Sequence, residues 1–119
     1  LRYLSLPEVA RRFNTGGVLL AAAERAREPL HVTVVGARGD PMARALLAAA
    51  LREPDGYKRV ERWDPSAGPL PNPDVTFPPR ARAAAYLCAA GRCSAPAESV
   101  DALALRLRRA NADAARAAR

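Results

Sequence analysis

The chain has 119 residues, half of them apolar, and a formal charge of +7. That length holds one domain with one modest core. Much of the apolar half is alanine and only six residues are aromatic, so the core is expected to be thin, resting on leucine, valine, Tyr57, Trp63, Phe77 and Tyr86. No stretch approaches the ~20 apolar residues of a membrane span. No signal peptide is visible, and two cysteines do not describe a disulfide-rich secreted scaffold; the expected compartment is the cytoplasm.

In chain order, residues 7–13 ("PEVARRF") predict a short helix, with Pro7 at its first position and Val9, Ala10 and Phe13 on one face. "NTGG" breaks it. Residues 18–27 predict a second helix, with Leu19, Ala22, Ala23 and Ala26 on one side and Pro29 as its stop. Together they read as a helical hairpin whose apolar face must pack on the domain that follows or on a partner outside the chain. Residues 30–35 ("LHVTVV") are the clearest strand. After "GARGD", Asp40 caps a helix that begins at Pro41 and runs to about Glu53. Met42, Leu46 and Ala49 form one row of that helix, and Ala43, Leu47 and Leu51 the next.

"EPDGY" stops this helix, and residues 57–63 predict a second strand. Charge on both its faces points to a sheet edge, and the intervening helix is long enough for a parallel crossover. Residues 64–80 hold six prolines and must form a loop, with Val75 and Phe77 tucking in. Residues 83–88 predict a third strand, "AAGR" a turn and "CSAP" a short return strand. Ser99 then caps a last helix, with Asp101 in its first turn and Leu103, Leu107 and Ala110 on one face. The sum is a helical hairpin (1–29) followed by a small α/β domain (30–119) with a mixed sheet. Its order fits a thioredoxin-like or a Rossmann-like half.

Four features carry candidate chemistry. "VVGARGDP" places glycines before a helix N-terminus, where α/β proteins hold phosphates. It lacks both the G-x-G-x-x-G and the Gly-Lys-Ser/Thr patterns, and Asp40 puts negative charge where an anion would sit; a plain turn is expected. His31, the sole histidine, lies inside a strand with no triad partners in view and is read as a packed or surface residue. No cofactor and no metal cluster is expected.

Arg106, Arg108 and Arg109 make the C-terminal helix the place for a nucleic-acid contact, although no aromatic platform accompanies them and helix-dipole complementarity accounts for late cations.

Cys88 and Cys93 are spaced C-x4-C, unlike the C-x-x-C of thiol oxidoreductases, whose first cysteine sits at a helix N-terminus. They flank a turn. If they oppose one another, a disulfide is within reach, closing a loop too short to gain much chain entropy, with Arg92 near enough in sequence to favour a thiolate. Reduced structural cysteines, a disulfide or redox-sensitive pair, and part of a metal site stay open, in that order.

"HVTVVGARGDPMARALLAAAL" followed by "AYLCAAGRCSAP" resembles the C-terminal end of the thioredoxin-domain-containing, YyaL-like or spermatogenesis-associated family. Its most specific element is Ala85, Tyr86, Leu87, Cys88, Cys93 and Pro96. "NTGGVLLAAAERA" is similar to the last helical hairpin before that end. The resemblance runs from about Gly16 to Leu107. It implies a longer protein that begins with a thioredoxin-like domain and continues with an α/α toroid similar to sugar 2-epimerases and six-hairpin glycosidases. The thioredoxin-like C-x-x-C and the toroid carboxylates are not in this sequence, so no family residue carries over beyond the cysteine pair.

The chain opens on Leu1 rather than Met, which fits a piece of a longer protein. The expected role is that of a noncatalytic module docked on the upstream helical domain. Redox work through Cys88 and Cys93, or nucleic-acid binding, are the alternatives.

Overall fold

The computed structural model describes residue 3 and residues 6–12, 16–54, 57–70 and 75–117. Expectations at Phe13, at Asn14 and Thr15, at Asp55 and Gly56, and for residues 71–74 of the loop lie outside the described residues.

Hydrophobic alternation fails along residues 32–35, and that stretch organises the fold. Val32, Thr33, Val34 and Val35 are all buried, so strand β1 (Leu30–Val35) must be covered on both faces. It is one of the two inner strands of a four-stranded sheet ordered β2-β1-β3-β4. β2 (Lys58–Trp63) runs parallel to it on one side, and β3 (Ala84–Ala89) runs antiparallel on the other. β4 (Arg92–Cys93) pairs antiparallel with β3. The protein is therefore a small α/β protein with a mixed sheet. Leu30 N–H donates to Tyr57 O at 2.9 Å and Gly36 N–H to Trp63 O at 3.0 Å, which extends the parallel ladder at both ends.

Two short helices precede the sheet, α1 (Pro7–Ala10) and α2 (Gly16–Arg25). Helix α3 (Pro41–Arg52) makes the crossover between β1 and β2, and α4 (Val100–Ala117) closes the chain. Both cap residues read from the sequence act as caps. The Asp40 carboxylate accepts from Met42 N at 2.7 Å and Ala43 N at 3.4 Å. Ser99 Oγ accepts from Ala102 N at 3.2 Å.

The expected rows of α3 need correction. Its buried line is Ala43, Leu46 and Ala50, while Met42 and Leu51 are 41% and 62% exposed. The sheet meets α3 between the two rows, where the smallest side chains allow close approach.

One face of the sheet offers Val32, Val34, Ala85 and Leu87, and it packs on Leu46 of α3 and on Leu103 and Leu107 of α4. The other face offers Val35, Ala84 and Tyr86, covered by Trp63 and Phe77. Phe77 comes from the proline-rich loop, as expected. Its ring lies 4.7 Å from Tyr86 and 6.2 Å from Trp63, centroid to centroid. Trp63 Nε1–H donates to Gly68 O at 2.9 Å, which ties the start of the loop to the strand that precedes it. Helices thus cover one face and an aromatic-anchored loop the other.

Alanine sets the spacing on the helical side. A Cβ on Gly36 would stand 2.8 Å from Ala83 Cβ and 3.0 Å from Ala43 Cβ, closer than packed carbon atoms tolerate. Gly36→Ala should therefore lower stability by about 1–3 kcal/mol, the cost of overpacking. Urea midpoints for the variant and the parent chain check this, and an unchanged midpoint would show that the β1–α3 junction is looser than described.

Candidate functional site

The cysteines are placed by a tight hairpin. Cys88 opposes Cys93 and Ala89 opposes Arg92, which leaves Ala90 and Gly91 as a two-residue turn. Both have positive φ, 49° and 71°, the left-handed pair that matches strand twist in a hairpin. Glycine adopts this readily, alanine at a cost. Ala90 N–H also donates to Glu28 Oε2 at 2.9 Å, anchoring the turn to the segment before β1.

Past β4 the chain stays paired with β3. Ser94 N–H donates to Leu87 O at 2.8 Å, and Ala85 and Ala97 exchange two bonds of 2.8 Å. Pro96, with no N–H to give, sits within this edge segment, where its missing donor is tolerated.

Cys88 and Cys93 are joined as a disulfide, with Cα atoms 4.0 Å apart. This corrects the expectation of two reduced structural thiols. The expected turn was also longer than the observed one; the residues read as turn include Ala89 and Arg92, which pair. In the chain-entropy account, closing about six residues stabilises by about 2 kcal/mol, less than the ~3 of a 15-residue loop. The turn, the ladder and Glu28 already hold the hairpin, so the covalent bond is a minor staple.

The sheet register decides what surrounds it. Arg59 opposes His31 on β1, His31 opposes Cys88 on β3, and Cys88 opposes Cys93 on β4. These four residues form one row across the sheet, on one face. The next row along β2 and β1 holds Glu61 and Thr33. Thr33 Oγ1–H donates to Glu61 Oε1 at 3.1 Å, and Arg59 Nη2 lies 3.2 Å from Glu61 Oε2. His31, Thr33, Glu61 and Cys88 line a small open recess walled by Val75 and Phe77 of the loop. Cys93 is exposed at the hairpin edge, whereas Cys88 is half-buried.

The sequence places Arg92 next to Cys93 as the charge beside the cysteines. Arg92 opposes Ala89, and strand alternation turns it to the face away from Cys93. The neighbour on the shared face is His31, which lies 57 positions from Cys88 in sequence terms of separate strands and is brought to it only by the antiparallel β1–β3 register. The signal that finds it is that register.

At the opposite end of β1, two carboxylates occupy the turn that the sequence offered for phosphate. Asp40 takes the α3 N-terminus. Asp64 Oδ2 accepts from Arg38 N at 2.7 Å, and its Oδ1 accepts from Ser66 N at 3.0 Å and Ser66 Oγ at 2.7 Å. The backbone N–H groups of Arg38, Met42 and Ala43 are thereby already used.

On α4, Arg108 and Arg109 are exposed, while Arg106 is half-buried, its Nη1 enclosed without a hydrogen-bond partner among the described residues. The three arginines do not present one common basic face. Among the described residues, no group of three or more His, Cys, Asp or Glu side chains is gathered for a metal ion, and no helix is long and apolar enough to cross a membrane. Comparison with protein-family models, with curated proteins and with solved structures gives no match to this chain.

The Asp64 carboxyl is held below the usual carboxylate range by the Ser66 hydroxyl, then by the Arg38 and Ser66 backbone N–H groups. A carboxyl depressed in the folded state contributes stability that is complete above its unfolded value and drains as pH falls through the folded one. Asp64→Asn should therefore lower the unfolding midpoint at pH 7 and flatten the loss of stability below about pH 4. Urea unfolding across pH 2–7 measures both; parallel acid limbs for the two chains would remove Asp64 as a contributor.

Proposed function

We propose that this chain is the noncatalytic C-terminal α/β module of a longer thioredoxin-domain-containing protein, docked through its N-terminal helices on a preceding helical domain. The observation that carries this reading is α2. None of its residues is buried, and Leu19 and Leu20 are 47% and 59% exposed. A helix with leucine, valine and alanine along its length gains its stability chiefly by covering that surface, and the α/β body leaves the surface open. Residues 1–29 are then the docking piece and residues 30–119 the module.

The strand order supports the thioredoxin-like of the two folds weighed from sequence, since β3 runs antiparallel where a Rossmann-like half continues in parallel. A noncatalytic role agrees with the α3 N-terminus. A thiol oxidoreductase sets its reactive cysteine at such a position; here Asp40 stands there. The resemblance around Tyr86, Cys88, Cys93 and Pro96 supplies the place at the end of a longer protein.

Leu19→Asp combined with Leu20→Asp tests the docking. In the 119-residue chain alone, the pair should change stability by no more than about 0.5 kcal/mol per site, the range for exposed positions. In the longer protein it should expose residues 26–29 to protease and lower the thermal midpoint by several degrees. Equal insensitivity in both settings would overturn the reading.

A further inference from the structure

We infer that the Cys88–Cys93 bond is a thiol–disulfide exchange site that takes two electrons from a dithiol, with His31 giving a proton to the leaving sulfur. It lies on the sheet face lined by the proline-rich loop; it is independent of the docking and adds a redox activity to the module in place of the noncatalytic role.

Three observations converge on it. The two sulfurs are unequal: Cys93 is exposed and Cys88 half-buried, so an incoming thiolate reaches Cys93 first and Cys88 becomes the leaving group. Cys88 faces the same recess as His31, and the two oppose one another in register, a relation that places Cβ atoms about 4.5–5.5 Å apart. The bond also closes a hairpin already held by its turn, its ladder and the Glu28 contact, so opening it leaves the sheet in place.

A thiolate of the dithiol attacks Cys93 Sγ, forming a mixed disulfide and breaking the Cys88–Cys93 bond. The electron pair leaves on Cys88 Sγ, and the protonated His31 imidazole passes its proton to that sulfur. The donor's second thiolate then attacks its own first sulfur, and Cys93 departs as a thiolate that takes a proton from water. The dithiol is oxidised to a disulfide, and the protein is left with two thiols.

Among the described residues, the charged or titratable groups facing His31 are Arg59 and Glu61 of β2 and, once the bond is open, Cys88 of β3. Glu61 is engaged by Thr33 and Arg59. The loop adds the apolar Leu70, Val75 and Phe77.

The test uses the whole chain with dithiothreitol as the dithiol, without denaturant. Thiols are counted by mass after alkylation, across pH 5–9. Reduction should run faster than global unfolding and leave the far-ultraviolet circular dichroism unchanged. His31→Gln should slow it by roughly a hundredfold or more and make its pH profile follow the thiolate fraction of dithiothreitol alone. Independently of His31, Cys93 in the Cys88→Ser chain should react with an aromatic disulfide probe faster than Cys88 in the Cys93→Ser chain. Reduction only at the rate of global unfolding, an unaltered rate and pH profile in His31→Gln, or the reverse order of sulfur reactivity would each overturn the proposal.

Discussion

Burial of β1 on both faces is the constraint on which the rest of the molecule depends. A strand that hides four consecutive residues needs a neighbour on each edge and a cover on each side. β2 and β3 supply the edges. Helices α3 and α4 cover one side, and the aromatic cluster of Trp63, Phe77 and Tyr86 covers the other. Each cover is cheap in large side chains. The helical side uses alanine at Ala43, Ala50, Ala85 and Ala97, fully enclosed, so that backbones approach closely and a few leucines fill the remaining space. This is how an alanine-rich chain with few aromatics still closes a core.

The two ends of β1 are chemically different for a reason visible in their connections. At its C-terminal end the chain turns into α3, and the carboxylates of Asp40 and Asp64 accept from the backbone N–H groups of Met42, Ala43 and Arg38. An anion would meet charge of its own sign, and those three N–H groups are already taken. At its N-terminal end the β3–β4 hairpin folds over beside His31. A covalent bond between sulfurs there, beside a histidine and an ion-paired glutamate, leaves room for chemistry that the helix end has closed off.

The proline-rich loop is what makes the second face a recess rather than a bare sheet. Among the described residues, prolines restrict it to a single 3-10 turn at Pro65–Ala67, yet Phe77 packs at a tilt against Tyr86 and the Trp63 indole holds Gly68. Ordering such a segment costs conformational entropy, which these aromatic contacts offset. Val75 and Phe77 then wall the space that His31 and Cys88 share.

Local features of the sequence determined the elements themselves. Asp40-Pro41 and Ser99 mark helix starts because a short polar side chain there satisfies orphan N–H groups; "LHVTVV" marks a strand because β-branched residues fit the pleat. The edge place of β2 was legible from Arg59, Glu61 and Arg62, since charge is excluded from a twice-covered strand. Which rows of α3 are buried was not legible, because Met42 and Leu51 look apolar enough for a core and only the approach of the sheet selects Ala43, Leu46 and Ala50.

The cysteine pairing was legible as geometry and open as chemistry: spacing permitted opposition, while the bond itself depends on the two-residue turn at Ala90 and Gly91. Tertiary structure alone decided that His31, and not Arg92, attends the sulfurs. Sequence proximity places Arg92 next to Cys93, but successive strand residues point to opposite faces, and a residue from a distant strand comes to the same face only through pairing register.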